Sequence, residues 1–427
     1  MSVFNMSDSG VTKLFNEFVI GGVSDQIVEE TTLYGRFNTN TRDCKGKYAL
    51  FKNLTQTPTS ARPSSTSTLP TAQQGTYDEF KLYMKRGMYA QLQFDGLATA
   101  CAEGKGAVVD VLEQEIQSIT LYMSNRMNKQ FWGDGSGRLA QLEAASSSST
   151  TVQIDGPLFG QDTNGYTDPG QYINQGQYVD IYDTSGNLEV EEVEISTLAD
   201  DGDGTGTLTM AESVTASNDS YVFDHDTYAS SEAAGTGVPM GIHGIVNSAD
   251  PYVGITQVSF QGVDRDTYSW AQANEVDMAD AAITNNKILQ LVHQCAKWGG
   301  KTSVLLTNEI IWRSYYQILE GDKTMPDSKS YWGGLEGLTF YGGRKGKIPI
   351  IFDYDCPDNS MYALDDRFIN VYAPTSNGLT WLPGQKGPLT RVSGKDEWVA
   401  GLVYYYNLGT PKPRAHGRLY DIKHAAS

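Results

Sequence analysis

Residues 105–132 read KGAVVDVLEQEIQSITLYMSNRMNKQFW, and this stretch sets what kind of fold can follow. Apolar residues recur at Val108, Leu112, Ile116, Ile119, Met123, Met127 and Phe131, always three or four apart. That spacing lines one face of an α-helix. About 27 residues at about 1.5 Å each span roughly 40 Å, longer than a small domain needs. Gly133-Asp134-Gly135-Ser136-Gly137 stops the helix. A helix of this length serves as a backbone across which other layers lie.

Upstream, Lys47–Leu54 and Glu79–Phe94 alternate apolar and polar residues, with Phe80, Leu82, Met84, Met88, Ala90, Leu92 and Phe94 on the apolar beat. Between them, Thr55–Thr71 holds 13 Ser, Thr or Pro residues in 17, too polar to form a core and too rich in proline for a helix. The expectation is an extended hairpin, which lacks the neighbours to be stable by itself. From Arg42 to Arg86 bases outnumber acids eight to three, which argues for docking on another copy of the chain. Before the hairpin, Asp8 or Ser9 can cap a short helix carrying Val11, Leu14, Phe15 and Phe18, and Ser24-Asp25 a second carrying Ile27 and Val28. These read as an arm that packs on something else.

Downstream the charge changes. The 427-residue chain has a formal net charge of −19, yet 139–264 contains 20 acidic residues and no Lys or Arg. The remainder holds 31 acids and 32 bases and is close to neutral. Such an anionic lobe repels polyphosphate and acidic membranes, so it faces water or a basic partner. Short strands are expected at Val152–Ile154, Tyr178–Tyr182, Leu188–Ile195, Thr207–Met210 and Tyr221–Phe223, with a hairpin loop at Asp183–Asn187 and a bulge at Glu191-Glu192. They predict a small barrel or sandwich inserted after the long helix. From Thr284 the pattern is α/β. Thr284 and Asn308 cap two helices, Gly299-Gly300 and Gly321 close them, and strands follow at Ser303–Leu306, Leu338–Tyr341, Ile348–Tyr354, Met361–Leu364 and Phe368–Tyr372. Leu389–Ile422 is β again.

The chemistry-bearing patterns fail one by one. Gly299-Gly300-Lys301-Thr302 resembles the end of a phosphate-binding loop, but Cys295 stands where its first glycine belongs and a helix precedes it instead of a strand. The five histidines, His225, His243, His293, His416 and His424, show no metal-ligand or catalytic spacing. Cys44, Cys101, Cys295 and Cys356 are scattered, as expected of reduced thiols. Asp201, Asp203 and Glu212, with Thr205 and Gly206, occupy the oxygen positions of a calcium loop, although strands flank them where such a loop has helices. A flexible hairpin tip explains the same residues. No apolar run is long enough to cross a bilayer, and Met1–Gly10 lacks the basic-then-apolar order of a secretory signal. The sequence therefore predicts no enzyme, no cofactor and no membrane association; a structural or binding role remains.

The order of parts is specific: arm, basic hairpin, long helix, β insertion, α/β lobe, returning strands. In that order the chain resembles the major capsid proteins of tailed bacteriophages, whose fold is shared with herpesvirus shells. The resemblance implies an α+β fold with an N-terminal arm (1–41), an extended loop (42–94), the spine helix of a peripheral domain (95–138), an inserted acidic β domain (139–237), a return to the peripheral domain (238–283), an axial domain (284–380) and C-terminal peripheral strands (381–427). Lys85–Asp95 looks like the return strand of the extended loop. The implied function is self-assembly into hexamers and pentamers of an icosahedral shell around double-stranded DNA bound without sequence specificity. The implied location is the virion, with assembly in the host cytoplasm. Scaffolding, portal and decoration proteins are the further partners such a shell implies. Lys45, Lys47, Lys52, Lys81, Lys85 and Arg86 are the expected inter-subunit contacts, facing acidic residues near Glu113 or Glu115 of a neighbour. The competing reading is a β-rich surface protein that binds glycans through Tyr166, Tyr172 and Tyr178.

Overall fold

Helical spacing becomes a helix at Ala107–Trp132 in the computed structural model. The structure describes residues 33, 35–44, 46–61, 63, 69–95, 107–157, 169–202, 204–233, 235–321, 338–343, 346–375, 378–382, 390–392 and 394–423. The arm helices expected around Asp8, Ser9 and Ser24-Asp25 lie outside these residues, as do Lys45, Cys101, Tyr166, Asp203 and His424. Among the described side chains, those of its last three turns are packed. Met123, Met127, Phe131 and Trp132 are at most 1% exposed. The Phe131 ring lies 5.4 Å from Tyr406, and Trp132 lies 5.4 Å from Tyr362. One helix end thus touches both the six-stranded sheet and the link between the strands Glu397–Tyr404 and Asn407–Gly409.

The first sheet has six strands in the order Asn274–Ala281, Gly417–Ile422, Met361–Leu364, Val304–Thr307, Gly346–Phe352 and Leu338–Gly343. Helices Asn285–Lys297 and Glu309–Gly321 belong to this lobe. Ile288, Leu291, Val292 and Cys295 of the first helix and Ile311 and Tyr315 of the second share a core with Leu305, Ile350 and Ala363 of the strands. The caps are those the sequence predicts. The Thr284 side chain accepts from Lys287 N, and Asn308 Oδ1 accepts from Ile310 N at 2.8 Å. Gly300 N donates to Cys295 O at 2.9 Å, so the Gly-Gly-Lys-Thr run closes a helix C-terminus, and Lys301 N donates to Asp365 Oδ2. Carbonyls crowd that end, which is the wrong polarity for a phosphate.

Tyr48–Gln56 and Thr76–Tyr83 form the expected hairpin, with Phe51 opposite Phe80 and Leu54 opposite Tyr77. The second extended run is not one strand. It breaks at Met84–Gly87, and Met88–Asp95 pairs instead with Glu397–Tyr404, Leu92 opposite Ala400. Gly87 makes the break. Its φ is +71°, and a Cβ there would sit 2.0 Å from Tyr404 O. Alternation of side chains carries no mark of such a bend, because both halves keep the same period.

The acidic stretch closes into a barrel of six strands: Tyr221–Asp224, Arg138–Leu142, Ser146–Pro157, Gly206–Ala216, Leu188–Asp200 and Tyr178–Tyr182. Its interior is Ala140, Leu142, Val152, Ile154, Val179, Ile181, Val193, Ile195, Leu208, Val214 and Val222. The bulge falls where the phase shift placed it. Val179 faces Val193 and Ile181 faces Val190, so two residues oppose Asp180. Glu192 adopts φ +52°, and its N–H donates to Asp180 Oδ1 at 2.9 Å. The strand Arg138–Leu142 is an addition; a run this short after a glycine-rich turn carries no strand signal of its own.

His416 is fully buried in the body, accepting from Asp365 N at Nδ1 (3.2 Å) with Thr410 Oγ1 3.3 Å from Nε2. Burial pushes its pKa down from 6.5 to about 4. The unfolded chain therefore holds the extra proton between those values, and stability falls as pH drops through that window. At about 1.4 kcal/mol per unit, the stability difference between wild type and His416→Gln should narrow by about 3 kcal/mol from pH 7 to pH 4 in denaturant titrations. Gly87→Ala should cost about 2 kcal/mol or more in the same assay, since it forces a side chain into the left-handed region and against a carbonyl.

Candidate functional site

Strand alternation gives the hairpin two faces. Inward, Ala49, Phe80 and Leu82 are at most 1% exposed, and Phe80 packs on Phe260 and Trp270 at 5.9 and 5.0 Å. The hairpin is also tied by Lys81 N to Gln261 O at 2.7 Å and Asn53 Nδ2 to Pro411 O at 2.9 Å. Its base is therefore anchored on its own chain, more firmly than the sequence suggests. Outward, the register aligns Tyr48 with Tyr83, Leu50 with Lys81, Lys52 with Glu79 and Leu54 with Tyr77. Leu50 and Leu54 are 42% and 49% exposed, and Tyr77 is 71% exposed. Toward the tip, Leu69 is 86% exposed. Three leucines and a tyrosine held in water on one limb form an unusually apolar surface, interrupted by Lys81 and by the charged pair Lys52 and Glu79 at 4.0 Å.

The predicted basic contacts divide. Lys47, Lys52, Lys81 and Arg86 are exposed. Lys85 is a correction: it is 5% exposed, and its Nζ donates to Thr236 O at 2.8 Å. Burial lowers its pKa, and burial also pushes Glu232 up to about 7, with Lys85 acting against that rise. The turn is further held by Gly235 N to Met84 O at 2.8 Å and by Asn407, whose Nδ2 donates to Tyr83 O at 2.7 Å. The Gly87 bend turns Lys85 inward, so this lysine serves its own subunit. Side chains at Glu113 and Glu115 lie outside the described residues.

The calcium pattern is pulled apart. Asp201 sits at the tip between two barrel strands, where its Oδ2 accepts from Thr207 Oγ1 at 2.9 Å. Glu212 lies exposed within the next strand, six residues past Gly206, which places it about 20 Å along an extended chain. Among the described residues no three His, Cys, Asp or Glu side chains gather as a metal site requires. The tyrosine platform is likewise dispersed. Tyr172 is 5% exposed and donates its hydroxyl to Asp355 O at 3.3 Å, whereas Tyr178 is exposed on the barrel.

Two arginines hold the acidic barrel at its root. Arg126, buried in the long helix, pairs with Asp224 and donates to Gln177 Oε1 at 3.1 Å. Arg138 pairs with Asp134 at 3.2 Å and stacks over Tyr252 and Tyr221 at 4.6 and 5.2 Å. Their side chains are 8% and 10% exposed, so both charges work in a poorly solvated setting. His225 pairs with Asp180 at 2.8 Å, a hydrogen bond that raises its pKa. Sequence reasoning missed both arginines; the only available signal is that they lie just before the base-free interval begins.

No protein-family model matches the sequence, and no curated protein matches it. Solved structures do. The cyanophage A-1(L) capsid asymmetric unit aligns with a TM-score of 0.53 at 14% identity, covering 92% of this chain and 93% of that chain. The chain has a phage-capsid fold. The holo-SrpI encapsulin complex from Synechococcus elongatus PCC 7942 has a TM-score of 0.46 at 9% identity, over 92% of this chain and 90% of the other. The capsid of the native GTA particle has 0.45 at 9%, over 93% and 90%. The closed six-stranded barrel is part of this chain's version of the fold. No described helix is long and apolar enough to cross a membrane.

Charge reversal separates the two kinds of lysine. Lys52→Glu together with Lys81→Glu should leave the melting temperature of the chain within about 2 °C, as expected of exposed positions. Lys85→Glu should instead destabilise the unassembled chain by about 3 kcal/mol or more.

Proposed function

We propose that the chain is the repeating subunit of an icosahedral shell that encloses double-stranded DNA, assembling as hexamers and pentamers. The observation that carries this reading is the match along nine-tenths of both chains to a phage capsid subunit. The hairpin supports it independently, since its outward face keeps Leu50, Leu54 and Tyr77 in water in the isolated chain. A neighbour laid across that face would bury them, at about 25 cal/mol for each Å² of apolar surface removed from water. In this reading residues 42–94 are an extended loop, Ala107–Trp132 the spine of a peripheral domain, and the six-stranded sheet with its two helices an axial domain.

Lys47, Lys52, Lys81 and Arg86 are the proposed contacts to the next subunit, with Lys85 withdrawn from that set. The acidic barrel faces outward, because packed phosphate on the inner side would repel it. A scaffold, a portal and a decoration protein on the barrel are partners consistent with such a shell. Its role is mechanical, in the virion, after assembly in the host cytoplasm. The glycan-binding reading is not favoured, since Tyr172 is committed to the interior.

Analytical ultracentrifugation and negative-stain microscopy of the purified full chain test the reading directly. Rings of six or closed particles several hundred ångströms wide are the expected result. A chain that stays monomeric at high concentration, with and without co-expressed phage proteins, would end it.

A further inference from the structure

Three connections meet at one end of the six-stranded sheet. Residues 297–301 lead from helix Asn285–Lys297 into Val304–Thr307, residues 365–368 follow Met361–Leu364, and residues 412–414 precede Gly417–Ile422. The pairs Val304 with Leu364 and Ala363 with Gly417 bring them together. Two aromatic rings collect cations there. Arg414 lies 3.8 Å and Lys297 5.6 Å from the Trp298 ring, while Arg367 lies 5.0 Å and Lys412 5.4 Å from Phe368. Lys412 Nζ is also 2.9 Å from where a Cβ on Gly299 would sit, so both rings belong to one patch. Trp298 is 40% exposed, and Lys297 and Lys301 are exposed beside it in the chain.

The acids of this corner are already engaged. Asp365 is buried and accepts from Arg367 Nε at 2.8 Å and Lys301 N at 2.7 Å, and Asp366 accepts from Arg36 at 3.1 and 2.7 Å. Arg367 is thereby neutralised. Among the described residues Lys297, Lys301, Lys412 and Arg414 form no ion pair with a carboxylate. Arg414 donates to Ser269 O and Oγ at 3.1 and 3.2 Å, which leaves three of its five N–H groups unused. Asp264 and Asp266, a few residues before Ser269, are the exposed acids that adjoin the patch. Lys297 also suits a helix C-terminus, but Lys301 and Lys412 stand outside any helix. Four uncompensated cations in one corner of a chain with net charge −19 call for an anion from outside.

We propose that Lys297, Lys301, Lys412 and Arg414, set around Trp298 and Phe368, are the surface through which the chain holds the phosphate backbone of duplex DNA; this rests on the shell reading above. Placement selects that partner over an acidic protein segment such as the barrel of another copy. Gln171 and Tyr172, just ahead of barrel strand Tyr178–Tyr182, bond to Tyr354 O, Cys356 O and Asp355 O. That turn lies where Thr307 pairs with Phe352 and Met361, at the other end of the same strands. The acidic lobe and the basic corner are therefore separated by at least the length of Val304–Thr307, roughly 13 Å. Copies in a shell share one outward sense, so with the barrel outward this corner turns toward the enclosed polyphosphate. The separation also exceeds the screening length of about 8 Å at physiological salt, so the barrel's acids do not cancel the patch. Lysine and arginine without a shaped pocket read charge and not bases, as packing of any sequence requires.

The full chain, dilute enough to sediment as single copies or open rings, is titrated against two fluorescent duplexes of unrelated sequence at several salt concentrations. Wild type should bind both equally, with log K falling against log[salt] at a slope of about −3 to −4, one phosphate for each cation. Lys297→Gln, Lys301→Gln and Lys412→Gln together should bring the slope to about −1 and weaken binding at least ten-fold at low salt, with the melting temperature within about 2 °C. Lys301→Gln alone should reduce the slope by about 0.9, which decides the matter if the triple variant fails to fold. Lys287→Gln, Lys395→Gln and Lys423→Gln remove the same charge elsewhere and should change neither slope nor affinity. A wild type that binds neither duplex, a slope unchanged in the triple variant, or an equal loss in the control would overturn the proposal. So would a triple variant that binds DNA as wild type does but no longer binds polyglutamate, the mark of an acidic protein partner. Sedimentation of the same proteins at high concentration keeps the two readings apart. Assembly without lysine-dependent DNA binding counts against this surface alone, and lysine-dependent DNA binding by a chain that never assembles counts against the shell alone.

Discussion

Everything else in the molecule is arranged around the last two turns of the long helix. Phe131 and Trp132 reach the C-terminal strands and the six-stranded sheet from adjacent positions, because neighbouring residues on a helix point about 100° apart. Arg126 and Asn128, on the same turns, reach the barrel root and the turn at Asp353. One helical segment therefore carries four attachments in three directions, with Asn128 and Trp132, one turn apart on the same face, both reaching the lobe of the six-stranded sheet. Its apolar side chains supply the burial and its polar ones the alignment. Loss of packing here would unseat every lobe at once, whereas damage within the barrel would remain local to it.

The chain divides its charge along the same lines. The barrel interior is apolar and its surface is acidic, with Arg138, the first residue of its first strand, as its one arginine or lysine. Both arginines that answer it belong to the segment entering the barrel, and both work where water is largely excluded. Self-repulsion among the acids is thus tolerated on the outside, while the root is drawn in by strong, poorly screened pairs. The polarity of the whole molecule follows: an anionic lobe tethered to a nearly neutral body.

What could be read in advance was local. Thr284 and Asn308 announce their helices because a side-chain oxygen beside the first turn is a short-range signal, and Leu188–Ile195 shows its bulge because period two is broken in place. The barrel could be inferred as a class, since short strands with turns between them have few other ways to hide their edges. What escaped depended on distant partners. Lys85 looks like its basic neighbours until Gly87 turns it toward Thr236, and only the approach of Tyr404 O explains why that residue must be glycine. Tyr172 looks like a surface aromatic until the turn at Asp355 covers it. Asn128 and Asp353 are 225 positions apart, and neither carries a motif. Polar residues buried by tertiary contact leave no periodic trace.

The barrel's first and last strands are neighbours, Ala140 opposite Val222 and Arg138 opposite Phe223. The backbone thus departs from the body and comes back to it at nearly one point, so the body needs only a short splice to remain whole without the lobe. Such a cassette can be gained, lost or exchanged in a single recombination event. Lineages carrying this fold are then free to vary that lobe while leaving the framework it springs from untouched.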